Sequence, residues 1–207
     1  MMKYLISLFI LMVFSIVQAE PPGTCVSDDE ANLFNAINNY RIANGLPAVP
    51  QSNVLMTVGQ WHAQDASINE ATLFTALCNR HSWSNDFPNL WTGMCYTTDH
   101  AQAAQMWAKP SQISGGSFSG SGYENAGWGY DSIQEALAGW QNSSAHNDVI
   151  LNQGFWTNLT WRSMGVGVNT NNTNYYYLWF SDTADNSPIQ PLCSDLPDVI
   201  FINGFEN

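Results

Sequence analysis

The chain has 207 residues, 45% of them hydrophobic, and carries 17 acidic against five basic residues for a formal net charge of −12. That length suits a single domain with a substantial core. The acidic balance repels phosphate backbones and anionic headgroups, which excludes nucleic acid as a partner and leaves solubility as the plain meaning of the charge.

In chain order, residues 1–19 place Lys3 near the start, an apolar run from Tyr4 to Val17, and a small residue at Ala19. That is the pattern of a secretory signal peptide. The run is shorter than the roughly 20 residues a bilayer span needs, and a polar, proline-containing stretch begins at Glu20. The expectation is an exported chain without a transmembrane span once the signal is removed, located outside the cell or in the periplasm of a Gram-negative host.

Beyond residue 19 there are four cysteines, Cys25, Cys78, Cys95 and Cys193. In an oxidising compartment an even number is most simply two disulfides, and four cysteines allow three pairings. The preferred pairing joins Cys78 to Cys95 across a short loop and Cys25 to Cys193 between the ends of the chain. A zinc site of four thiolates is the rival, but no C-x-x-C spacing supports it.

From Asp28, "DDEANLFNAINNYRIANG" puts Leu33, Phe34, Ile37 and Tyr40 at helical spacing, with acidic residues in the first turn and Gly45 as the stop. A second helix follows over "SNVLMTVGQWHAQDASIN", capped by Ser52, and a third over His100 to Trp107. The stretch 114–122, "SGGSFSGSG", is a flexible loop. Next, "SIQEALAGW" pairs Ser132 with Glu135 in a capping box. Near the end "SMGVGVNT" and "NYYYLWFSD" read as a β-hairpin. Helices first and strands last predict an α+β fold, with helices packed on a mostly antiparallel sheet. The tail "DVIFINGFEN" is either an edge strand or loose.

Four histidines can be weighed one by one. His62 lies within the second helix and His100 opens the third, so both read as packed or solvated side chains. His81 in "CNRHSWSN" and His146 in "WQNSSAHNDVIL" sit on loops, where function concentrates. Two imidazoles with a carboxylate such as Glu124 make a donor set that a divalent ion can use. Spacing alone does not bring them together, because no H-E-x-x-H run is present.

The ordered series "LFNAINNYRIANGLPAV", "WHAQDA", "RHSW", "GYENAGWGY", "GWQNSSAH" and "SMGVGVN" resembles the CAP superfamily of secreted SCP-like domains, and its bacterial branch most closely. The resemblance covers residues 28–182 and leaves 20–27 as an N-terminal segment and 183–207 as a C-terminal extension. It implies a three-layer α-β-α sandwich with a central cleft. Carried over motif by motif, the cleft histidines fall on His81 and His146 and the cleft glutamate on Glu124. In several members of the family the histidines bind zinc or another divalent ion. Many eukaryotic members have a further glutamate three residues after the tryptophan matching Trp140, where this chain has Ser143.

Three functions follow as expectations. The first is a secreted module whose cleft holds a divalent metal and an extracellular ligand. The second is a metal-dependent hydrolase of peptides or esters, with Glu124 as the candidate catalytic base. The third is a lipid or sterol binder whose groove is lined by tryptophans such as Trp83, Trp91 and Trp128. A serine hydrolase is disfavoured, since Ser82, Ser143 and Ser144 lie in no nucleophile signature. Asn142, Asn158 and Asn171 head tripeptides that accept glycans in a eukaryotic secretory route.

Overall fold

The aromatic run near the C-terminus is a strand buried along its whole length. In the computed structural model, which describes residues 21–197, β3 (Tyr175–Ser181) lies between β1 (Tyr123–Trp128) and β2 (Ser163–Asn169) in an antiparallel sheet of order β1-β3-β2. A central strand covered on both faces reads as a continuous apolar run, not an alternating one. Its side chains divide accordingly. Tyr176, Leu178 and Phe180 enter one apolar cluster, and Tyr175, Tyr177 and Trp179 enter another.

Helices supply the rest of each cluster. On the first face pack Leu33 and Ile37 of α1 (Asp28–Ala43), Ile133, Ala136 and Trp140 of α5 (Ile133–Asn142), and Val149 and Ile150 of α6 (Ser144–Ile150). On the second pack Leu55, Val58, Ala63 and Ala66 of α2 (Asn53–Leu73), with Met106 of α3 (Ala103–Trp107). Helices thus cover both faces of an antiparallel sheet, as an α+β fold requires.

The approach of α2 to β2 depends on glycine. A Cβ on Gly167 would lie 2.0 Å from the carbonyl carbon of Gly59, and one on Gly165 would lie 2.1 Å from that of Leu55. The helix backbone therefore rests on the strand backbone, and this fixes which α2 side chains can reach the neighbouring strands.

Local signals explain the helix ends. Ser27 and Glu30 form a complete capping box on α1, and Ser52 accepts the Leu55 amide at the start of α2. At α5 the box is only half formed. Ser132 accepts the Glu135 amide, but the Glu135 carboxylate takes the Asp131 amide in place of that of Ser132. The third helix is shorter than the sequence predicts, because His100 has φ +59°, which no helix residue adopts. A separate helix, α4 (Lys109–Ile113), follows with Pro110 in its first turn, where the missing amide costs nothing.

Cys25 is bridged to Cys193 and Cys78 to Cys95, the pairing preferred from the sequence. Among the described residues no helix is long and apolar enough to cross a membrane. The signal segment and the tail "DVIFINGFEN" lie outside the described residues.

Candidate functional site

The site is assembled at β1, one of the two edge strands, by simple alternation. In register, Glu124 faces Trp179 and Asn125 faces Leu178, and consecutive strand residues point to opposite faces. Glu124 therefore reaches the α2 layer. Asn125 reaches the other layer, where its Nδ2 donates to the backbone oxygen of His146 at 3.0 Å. The adjacent pair "EN" ties the two helical layers to one point of the sheet.

Both oxygens of Glu124 are engaged by imidazole. Oε2 lies 2.5 Å from Nδ1 of His62, and Oε1 lies 2.6 Å from Nδ1 of His81. The carboxylate itself is sealed from solvent, while one fifth of the His81 side chain is exposed. Burial pushes the Glu124 carboxyl up, but the His62 and His81 imidazoles outweigh it together and hold the group below the usual carboxylate value.

His62, read from the sequence as a packed side chain, is indeed packed, but it also takes part in the site. Its ring is stacked between Trp83 and Tyr177 at centroid distances of 4.0 and 3.8 Å. Its Nε2 donates to the Ser82 carbonyl at 3.0 Å. A signal for this position was available in the helix. Leu55, Gly59, His62 and Ala66 fall on one stripe at i, i+4, i+7 and i+11, all buried. A histidine on that stripe must find buried partners.

The loop bearing His81 is fixed from several directions. The Cys78–Cys95 disulfide closes it, and Trp83 and Met94 exchange backbone hydrogen bonds across it at 2.9 Å. Asp65, on α2 beside His62, accepts the Ser84 amide at 2.8 Å and the Ser84 hydroxyl at 2.5 Å. With Nδ1–H donating to Glu124, the Nε2 of His81 keeps its lone pair.

His146 arrives from α6. Ser143 sits between α5 and α6 and makes no side-chain cap hydrogen bond; its hydroxyl instead lies 2.7 Å from Nδ1 of His146. Burial, and then the nearby His81, push the His146 imidazole below its ordinary value, so it is neutral at pH 7. Ser143 thus orients the ring but adds no charge.

The structure therefore joins Glu124 to His81 directly and links Ser143 to His146, whose imidazole is influenced by His81. Among the described residues no group of three or more His, Cys, Asp or Glu is disposed to hold a metal ion. Both nitrogens of His62 and both oxygens of Glu124 already have partners. The donors left over are the Nε2 atoms of His81 and His146. Two imidazoles fall short of the three protein ligands usual for catalytic zinc.

Comparison with known proteins adds the following. No curated protein sequence matches the chain. Among solved structures, it is similar to an extracellular SCP-domain protein from Bacillus anthracis (22% identity, TM-score 0.49, 74% of this chain and 40% of that one). A cysteine-rich secretory protein from Staphylococcus aureus gives 15% identity and a TM-score of 0.47 over 75% of this chain and 38% of that one. An outer surface protein from Borrelia burgdorferi gives 15% identity and a TM-score of 0.48 over 73% and 90%. The chain thus spans about two fifths of the length of the first two. Residues 34–182 match the family model described as "Cysteine-rich secretory protein family", or CAP. With that match covering most of its length and all of His62, His81, Glu124 and His146, the chain belongs to the cysteine-rich secretory protein family.

Proposed function

We propose that the chain is a secreted binding module, whose cleft presents the imidazoles of His81 and His146 to an extracellular ligand. The observation that carries this reading is the carboxylate–imidazole bond between Glu124 and His81. It fixes the ring and its tautomer, leaving Nε2 as a bare donor at a partly exposed position. A divalent ion, zinc being the expected one, would be held by His81 and His146, with Glu124 and Ser143 orienting the two rings from behind. When bound, such an ion supplies a Lewis acid for an oxygen atom of the ligand.

No hydrolytic step is assigned to Glu124. A general base must reach the proton it removes, and this carboxylate is sealed with both oxygens occupied. The surroundings favour a polar ligand over a lipid. Trp83 and Trp91, two of the three tryptophans expected to line a lipid groove, are buried in the core.

Calorimetric titration of zinc into the chelator-stripped protein tests the metal reading, with His81→Ala and His146→Ala as partners. Saturable heat that is lost in both variants supports it. Equally negligible heat in all three proteins removes the metal and leaves a metal-free cleft.

A further inference from the structure

We propose that the guanidinium of Arg80 is a second binding subsite, one that takes a bidentate oxyanion, carboxylate or phosphate, at the Trp128 end of β1. Its Cζ lies 4.2 Å from the ring centroid of Phe74 and 4.8 Å from that of Trp128. Both rings lie within cation–π range of the guanidinium, whose in-plane edge of N–H donors matches two oxygens of one carboxylate or phosphate.

That edge has no partner of its own. Arg80 donates no hydrogen bond among the described residues, its Nε is buried without an acceptor, and the ion pairs present join only histidine to Glu124. Glu70, the acid near the same end of the sheet, instead accepts the Thr173 hydroxyl at 2.7 Å. The two buried cations differ. Arg41 is buried and donates to the carbonyls of Pro47 and Ile150, and Lys109 is buried and donates to that of Thr92. In a chain with 17 acidic side chains, a cation held by aromatic rings and left without an anion keeps unfilled hydrogen-bonding capacity. Trp128 is 50% exposed, so the clamp opens at the surface.

Arg80 directly precedes His81 in the chain, but Trp128 lies four positions along β1 from Glu124, about 13 Å at roughly 3.3 Å per residue, and no metal enters the proposal.

The test is a titration of the full chain, at constant ionic strength, with sodium acetate and separately with sodium phosphate, followed by 1H–15N spectra. The Arg80 Nε–H and Trp128 indole N–H resonances should shift saturably with at least one of the two anions, and chloride should not reproduce the effect. Arg80→Gln should abolish the response and Arg162→Gln, at an exposed arginine, should preserve it. Trp128→Leu, at an exposed position that leaves the core intact, should weaken the response several-fold. Non-saturating shifts with both anions, an equal response to chloride, or a saturable response that survives in Arg80→Gln would each overturn the proposal, as would unchanged affinity in Trp128→Leu.

Discussion

Nδ1 of His62 lies 2.5 Å from Oε2 of Glu124 while Nε2 of the same ring lies 3.0 Å from the Ser82 carbonyl. Each bond needs one proton, so a ring with acceptors on both sides shares with Glu124 one proton more than a neutral imidazole and a carboxylate possess. The buried negative charge of Glu124 is thereby offset within the site. Glu124→Gln removes that balance and leaves a buried ring facing an amide. The expected loss is about 3–5 kcal/mol, the range for breaking one side of a buried pair, read from denaturant midpoints. Glu124→Leu combined with His62→Phe should cost less than the sum of the single changes, because neither charge is then left alone. Strict additivity would mean that the two groups do not act as a pair.

Acid should weaken the fold in two stages. The His146 imidazole is pushed below its ordinary value by burial and by His81, so the unfolded chain takes up that proton first. The His146 contribution is then constant above about pH 6.5 and begins to fall below it. Glu124 is also held below its ordinary value in the folded state. Its contribution is complete above about pH 4.3, the unfolded carboxylate value, and is lost as pH drops through the folded one. His146→Gln should flatten the upper stage alone when unfolding is followed across pH 4 to 8.

Lys109 gives the same sign at the alkaline end. Burial lowers its pKa from 10.5 to about 8, so between these values the unfolded chain holds the proton that the folded one has released. Stability should therefore rise with pH above 8. Lys109→Met should remove that slope, read from denaturant midpoints between about pH 7 and pH 10. The measurement belongs below about pH 10, where tyrosines begin to ionise. Tyr175 and Tyr177, both pushed up by burial, then act in the opposite direction.

Features set by local chemistry were legible in the sequence. The cap of α2, the β2–β3 hairpin and both disulfides follow from Ser52, the Asn/Thr turn and four cysteines in a chain whose start reads as a secretory signal. Features set by tertiary contact were not. Glu, Asn and Gly are poor strand formers, so "YENAGW" gave no strand signal. It becomes β1 because Tyr175–Phe180 pairs with it. The family resemblance implied that Glu124 would lie in a cleft; it is sealed because His62 approaches from a helix 62 residues away in sequence. His100 was expected to open a helix, and only its positive φ shows why it does not.

The Cys78–Cys95 disulfide spans 17 positions in sequence and encloses His81, Ser82 and Trp83, which carry or support the site. On the loop-closure account a cross-link over a loop of this length stabilises by about 3 kcal/mol, mainly by restricting the unfolded chain. Replacing both cysteines with serine should therefore lower stability by about that amount. The His81 loop keeps its other ties, to Asp65 through Ser84 and to His62 through Ser82. The double variant should consequently fold with the His81–Glu124 bond intact, and the Nδ1 proton of His81 should remain visible at low field in the NMR spectrum. If that resonance disappears while the rest of the spectrum is unchanged, the disulfide and not α2 positions His81. The two outcomes separate a bridge that acts on the unfolded chain from one that holds the site in place.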